Sequence, residues 1–346
     1  MSDPSKSRRL ISPAASPDEL QFEASLRPRR LDDFTGQAKV KELLSVTIEA
    51  AKLRGEAMDH VLFIGPPGLG KTTLANIVSH ELGVLFDLTS GPMLQKKLDL
   101  TGILSNIKHR QVFFIDEIHR LMPDVEEVLY SAMEDFRVDI IIGQGPGART
   151  HSLPIQKFTC IGATTRQGLL SGPLRGRFGL ILYLKHYDAA EMQKIVNRSA
   201  KLLDTPLDQD AAEEIARRSR GTPRIGNRLL RRVRDYAQVR AAGHITLEVA
   251  QSALDLLEVD PLGLDEIDKK IMLTVIEKYA GGPVGLNTIA ASTDEEPDTV
   301  EEVYEPYLMQ LGFLDRTPRG RMATDRAFEY FGLPRRMRGP GQGTLF

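Results

Sequence analysis

The sequence predicts an α/β fold: a parallel-sheet nucleotide-binding domain, then a small all-helical unit, then a winged-helix unit. Three observations carry this. Between Leu26 and about Leu184, short apolar runs alternate with helical stretches, the pattern of a parallel sheet flanked by helices. Gly65-Pro66-Pro67-Gly68-Leu69-Gly70-Lys71-Thr72-Thr73 lies between an apolar run, Val61–Ile64, and a helical run from Leu74. Strand, glycine turn and helix in that order form a phosphate cradle. From Asp188 to about Leu257 the pattern is helical throughout, and residues 265–334 then change to three helices and a hairpin.

Residues 1–20, rich in Ser and Pro, read as a mobile tail. The large domain is expected over 21–185, with strands at Val61–Ile64, 85–88, 112–115, 159–162 and Leu180–Tyr183. A helical domain is expected over 186–258. Its helices at 191–203, Gln209–Arg218, 225–242 and 247–257 are separated by breakers such as Gly221-Thr222-Pro223. Asp260-Pro261-Leu262-Gly263 marks the next boundary, and the winged-helix unit is expected over 259–334. Helices at 266–279, 286–291 and 299–311 precede the hairpin flanked by Phe313-Leu314 and Met322-Ala323. Residues 335–346 read as a second flexible tail.

The chain has 346 residues, more than one typical domain, and its 41% hydrophobic content is ordinary for a soluble protein. One cysteine, Cys160, excludes an internal disulfide and fits a reducing cytosol. No run approaches the ~18 apolar residues of a membrane span, and the N-terminus lacks an apolar signal core. A cytoplasmic protein with no membrane partner is expected. The net charge of −2 excludes a uniformly basic nucleic-acid binder, so any DNA contact must come from a local patch.

The glycines, Gly68 and Gly70 among them, let backbone N–H groups converge on phosphate oxygens at a helix N-terminus. Lys71 would reach the β- and γ-phosphates of ATP or GTP, and the Thr72 hydroxyl would ligate Mg²⁺, with Thr73 following. Val112-Phe113-Phe114-Ile115-Asp116-Glu117 is an apolar strand ending in two carboxylates. Asp116 can face Mg²⁺ and Glu117 can polarise an attacking water. His119 reads as a packing or helix-start residue. The strand leading to Thr164-Thr165 could place a hydroxyl between Glu117 and the γ-phosphate. Arg175 and Arg177 precede the final strand, where an arginine could meet developing phosphoryl charge in a neighbouring subunit. Arg224 starts a long helix and could fold onto the γ-phosphate.

In the winged-helix unit, the third helix carries Asp298, Glu301, Glu302 and Glu305. Those acids would repel phosphates, so this helix is a poor groove reader. The positive charge lies on Arg316, Arg319 and Arg321. They are expected to hold double-stranded DNA by its backbone, without reading bases.

These motifs resemble the AAA+ ATPases and, within them, the bacterial motors that migrate Holliday junctions. The matching residues include Leu26-Arg27-Pro28, Phe34-Thr35-Gly36-Gln37, the phosphate loop and Asp116-Glu117-Ile118-His119-Arg120. They continue with 162–166, 174–179, 221–225, 227–234, 281–286 and 316–324, so the resemblance covers roughly 20–333. It implies an AAA+ ATPase domain, a helical lid and a DNA-binding winged helix. It also implies an ATP hydrolase with Mg²⁺ that pumps duplex DNA out of four-way junctions in recombination and repair after DNA damage. Leu26, Arg27 and Tyr187 would line the nucleotide pocket, and Thr164 or Thr165 would be the first sensor. Arg177, with Arg175 as the alternative, would be the finger reaching a neighbour's ATP, and Arg224 the second sensor. A homo-hexamer is implied, with RuvA docking on a hairpin from Val138 to Ile155 and RuvC joining in the resolving complex. The apolar Ile140-Ile141-Ile142 of that hairpin fits either a partner surface or an ordinary core. Gln342-Gly343-Thr344-Leu345-Phe346 is similar to short peptides that dock on sliding clamps, on what otherwise reads as a free tail. A clamp or helicase loader is the competing reading within the family, and a winged-helix transcription regulator the competing reading outside it.

Overall fold

The computed structural model describes residues 17–142 and 149–334. The terminal tails over 1–16 and 335–346, including the clamp-like Gln342–Phe346 peptide, and the hairpin tip around Gly143 to Gly147 lie outside the described residues. The chain divides into two compact units: residues 24–187, and residues up to 23 together with 188 onward.

Through the first unit run α1 (Pro17–Leu26), whose last residues enter it, α2 (Ala38–Arg54), β1 (Val61–Ile64), α3 (Lys71–Leu82) and β2 (Phe86–Ser90). Then come α4 (Lys97–Ser105), β3 (Val112–Asp116), α5 (Pro123–Glu134), β4 (Arg137–Ile142) and β5 (Arg149–Pro154). It closes with β6 (Thr159–Thr164), α6 (Gly172–Gly176) and β7 (Leu180–Tyr183). Five parallel strands form the sheet in the order β2-β3-β6-β1-β7. All of β1 and β6, and all of β3 but its last residue, are buried, which is why these strands read as unbroken apolar runs. β2 is an edge strand with two exposed central residues, and it pairs one residue later than the sequence suggests. β6 runs two residues further than expected, because its ladder with β1 continues to the Ile64–Thr164 pair. That register, with Ile115 opposite Gly162, brings the ends of β1, β3 and β6 to one edge. Crevices at such carboxyl edges are where open parallel sheets bind ligands.

β4 and β5 form a separate antiparallel hairpin with Val138 opposite Leu153. Val138 is buried in the core of α4 and α5, whereas Asp139, His151, Ser152 and Leu153 are exposed.

The second unit begins with four amphipathic helices, α7 (Ala189–Leu202), α8 (Gln209–Arg218), α9 (Pro223–Arg240) and α10 (Leu247–Leu256). Asp188 and Glu191 cap α7 reciprocally: Glu191 N–H donates to Asp188 at 2.7 Å and Asp188 N–H to Glu191 at 3.2 Å. The chain continues as α11 (Glu266–Leu273), a π-helical segment (Thr274–Lys278), α12 (Leu286–Thr293) and α13 (Pro297–Thr299). A second π segment (Val300–Tyr304) leads into α14 (Glu305–Gln310), followed by β8 (Leu314–Thr317), β9 (Gly320–Ala323) and α15 (Asp325–Phe331). The predicted third helix is therefore present but irregular. Pro306 has no N–H to offer and its ring would strike the carbonyl four residues back, so the helix widens before it. The core of this half holds Ile271, Val275, Tyr304, Leu308 and Phe313, with Ile225 of α9 packed against it.

Arg220, in the turn between α8 and α9, ties the two halves of this unit together. Its Nε donates to the Gly263 carbonyl at 2.7 Å, both terminal nitrogens meet Asp268 on α11, and its plane lies 4.9 Å over the Tyr307 ring. Tyr307 donates to the Leu262 carbonyl at 2.5 Å. Arg218 donates to Glu214 and to the Val259 carbonyl, both at 2.7 Å, which fixes the same linker.

Candidate nucleotide site and basic hairpin

The loop between β1 and α3 has the backbone of an anion cradle. Gly65, Gly68 and Gly70 all hold positive φ, at 155°, 80° and 100°. At Gly65 a Cβ would lie 2.7 Å from the Leu184 carbonyl oxygen, and at Gly70 it would lie 3.1 Å from the Phe34 ring. Only glycine fits where the backbone is packed this closely. Lys71 is 7% exposed and donates to the Gly65 and Pro66 carbonyls at 2.6 and 2.8 Å, so its ammonium sits in the loop it must serve.

The carboxylates lie beside it. Thr72 Oγ1 donates to Asp116 Oδ2 at 3.3 Å across 44 positions of sequence, and Glu117 N–H donates to Asp116 Oδ1 at 3.0 Å. A hydroxyl and a carboxylate paired this way suit Mg²⁺, which keeps most of its waters and takes few protein ligands. Glu117 has φ 47°, which turns the chain sharply after β3, and its carboxylate accepts from Arg120 at 3.0 Å. Thr164 is buried, accepts from Arg166 N–H at 3.0 Å and bonds His119 Nδ1 at 3.0 Å. The Thr164 hydroxyl is thus committed, while Thr165 beside it is half-buried. His119, read from sequence as packing, is the link between the β3 turn and the end of β6. Its position two residues after Glu117 was the available signal.

Tyr187 is buried and donates to the Leu69 carbonyl at 3.1 Å, so it braces the phosphate loop itself. Leu26 is buried and Arg27 half-buried at the start of this unit. Gln37 donates to the Lys185 carbonyl at 2.6 Å, and Lys41 to the Phe34 carbonyl at 2.7 Å, which seats Phe34 under Gly70. Arg175 is exposed, whereas Arg177 is anchored on α5, its Nη2 donating to Glu134 at 2.7 Å. In the second unit Arg224 pairs with the buried Glu23 at 3.4 Å. Nothing in the sequence singles out that partner.

The basic hairpin is only partly as expected. Arg319 is exposed at the turn between β8 and β9, with no ion pair among the described residues. Arg316 is exposed and pairs with Glu301 at 2.5 Å. Arg321, expected as a third phosphate contact, is 9% exposed and grips the buried Glu305 through two nitrogens at 2.5 and 3.1 Å. Glu301 and Glu305 of the third helix therefore anchor Arg316 and Arg321, a pairing the sequence pattern does not reveal.

Residues 26–184 match the family described as the Holliday junction DNA helicase RuvB P-loop domain. Residues 187–260 match the RuvB AAA lid domain, and 261–332 the RuvB C-terminal winged helix domain. The chain belongs to the RuvB family. The Holliday junction branch migration complex subunit RuvB of Solibacter usitatus is 69% identical over 339 residues, 98% of each chain. The corresponding RuvB of Koribacter versatilis is 62% identical, over 93% of this chain and 90% of its own. The Thermotoga maritima RuvB Holliday junction branch migration motor has a solved structure of the same fold. It superposes with a TM-score of 0.82 at 52% identity, covering 90% of this chain and 99% of that one. A nucleotide-binding P-loop ATPase domain, a lid and a winged helix are thus this RuvB-family chain's fold, and it is an ATP-driven enzyme. Among the described residues no helix is long and apolar enough to cross a membrane.

Proposed function

We propose that this chain is an ATP-dependent DNA motor that drives branch migration of Holliday junctions in recombination and repair. The observation that carries the reading is an intact hydrolytic site in the same chain as a hairpin suited to sequence-independent backbone contact. Lys71, Thr72, Asp116 and Glu117 lie within one connected cluster at the sheet edge. Arg319 and Arg316 stand exposed on the hairpin.

In this reading the backbone N–H groups of the loop and Lys71 hold the β- and γ-phosphates of ATP. Thr72 and Asp116 would hold Mg²⁺, which would neutralise phosphate charge. Glu117 leaves Arg120 and takes the proton of the attacking water, and Arg120 is the residue that restrains it beforehand. Thr164 or Thr165 is the sensor, and Thr164 is tied to the β3 turn through His119. Arg177 completes a neighbour's site in a homo-hexameric ring, and Arg224 reports on nucleotide once released from Glu23. Arg319 and Arg316 contact phosphates, and Arg321 positions the hairpin through Glu305. A moving motor gains from contacts that are the same on every sequence.

RuvA docks on the exposed face of the β4–β5 hairpin, RuvC joins in the resolving complex, and the assembly works in the cytoplasm. Ile140-Ile141-Ile142 contribute side chains that lie outside the described residues, so the support here comes from exposed Leu153 and His151. The clamp-loader reading lacks the support that the RuvB-type lid and winged helix give to the motor. The test is migration of a synthetic four-way junction with ATP, with and without RuvA, by wild type and Glu117→Gln. Wild type should resolve the junction into duplexes and the variant should bind ATP without doing so. Hydrolysis by wild type with no strand displacement in the presence of RuvA would refute the motor reading.

A further inference from the structure

Arginine side chains that act across an interface must be held in place before the neighbour arrives, because a long free side chain loses much rotamer freedom on docking. Of the two candidate arginines before β7, only Arg177 has such a support. Its Nη1 donates to the Pro173 carbonyl at 2.9 Å, its Nη2 to Glu134 at 2.7 Å, and its guanidinium carbon lies 4.5 Å over the Tyr130 ring. Its Nε–H is buried and has no hydrogen-bond partner among the described residues. Arg175 is exposed on the same turn.

The ring under Arg177 is itself fixed. The Tyr130 hydroxyl lies 2.9 Å from Glu126 and 2.8 Å from Ser171 Oγ, and Ser171 Oγ donates to Glu126 at 3.0 Å. Ser171 also caps α6 by accepting from Leu174 N–H at 3.2 Å. One aromatic residue of α5 is thereby tied to the start of the turn that carries Arg177 and stacked on the arginine at its end. A cation over an aromatic face keeps its plane but can slide and reach outward, unlike one locked between two carboxylates.

We infer that Tyr130 and Glu134 are positioning residues that seat Arg177 for its action on the neighbouring subunit's nucleotide. This rests on the reading of Arg177 as the trans-acting arginine. A positioning role of this kind impairs the neighbour's site and leaves the subunit's own site whole, which a general packing defect would not do.

Mixed assemblies separate the two. Tyr130→Ala, Glu134→Ala and Arg177→Ala subunits are each assayed for ATP hydrolysis alone and with an excess of Glu117→Gln subunits. The latter cannot hydrolyse ATP but keep Tyr130, Glu134 and Arg177 intact. Wild type mixed at the same ratio is the reference. Alone, Tyr130→Ala should lose about tenfold or more in turnover, less than the roughly 10³–10⁵ that removing an arginine of this kind costs, and Glu134→Ala several-fold. In the mixture both should return to the wild-type reference rate per active subunit, as should Arg177→Ala. Tyr130→Phe, which keeps the ring, should fall between wild type and Tyr130→Ala. If Arg177→Ala is rescued but Tyr130→Ala is not, or if Tyr130→Ala or Glu134→Ala alone turns over like wild type, the seat is refuted. If Arg177→Ala is not rescued, the trans reading of Arg177 fails and the inference falls with it. Glu134 is on the exposed face of α5, so its variant still reports if Tyr130→Ala does not fold.

Discussion

Gly65 shows how tightly a single residue can be specified. Its φ of 155° and the Leu184 carbonyl 2.7 Å from any Cβ leave no room for a side chain. Gly65→Ala should cost about 1–3 kcal/mol of stability and weaken ATP binding, read by denaturant unfolding and by nucleotide titration. The arginines of the hairpin separate in the same concrete way. Arg319→Ala should leave stability unchanged, lower duplex affinity equally on unrelated sequences and reduce the salt slope by about one. Arg321→Ala should instead destabilise by about 3–5 kcal/mol, because Glu305 would be left buried and unpaired. Equal stability of the two variants in thermal melts would contradict that division. The sequence singled out Lys71, Thr72, Asp116 and Glu117 because phosphate chemistry asks for those residue types at a helix start and a strand end, and the fold brings them together. Arg321 was misjudged because nothing in a linear pattern says that an acid sixteen residues upstream lies beneath the hairpin. The bond between His119 and Thr164 needed three dimensions for the same reason: nothing in a linear pattern pairs residues 45 positions apart.

At the scale of elements, the five strands and the long helices of the second unit were legible, because burial on both sheet faces writes continuous apolar runs and amphipathic helices write a stripe; α2, α4 and α5 were not located beyond the general alternation. The irregular third helix of the winged unit was not, since Pro306 deforms rather than ends it. The joint between β1 and β6 is a further case. His60 precedes β1, accepts from Cys160 N–H at 2.9 Å through Nδ1, and donates to the Met133 carbonyl at 3.0 Å through Nε2. Burial holds its pKa below the ordinary 6.5, against smaller opposing effects of the Met133 bond and Asp59. A neutral ring is what this pair of bonds requires. A lowered folded pKa means the unfolded chain takes the proton first. The contribution is therefore whole above about pH 6.5 and is lost as pH falls toward the folded value. The unfolding free energy of the P-loop unit should decline below pH 6.5, and His60→Gln should flatten that decline. An unchanged slope in the variant would assign the acid sensitivity elsewhere.

For the molecule as a whole, the second unit joins lid and winged helix through the buried Arg220, with Arg218 fixing the linker beside it. Arg220→Ala would strand Asp268, which is fully buried, and should destabilise that unit by about 3–5 kcal/mol in chemical denaturation. An effect below 1 kcal/mol would mean that the joint is held by apolar packing alone. Arg224, four residues further on, would report on nucleotide from the same segment that grips the winged helix. The most direct test is the ratio of ATP hydrolysed to base pairs migrated, recorded together on a synthetic four-way junction with RuvA. Wild type should show both activities with a constant ratio across unrelated junction sequences, and Glu117→Gln should lose both while still binding ATP. Hydrolysis without migration, or a ratio that changes with sequence, would contradict the motor reading.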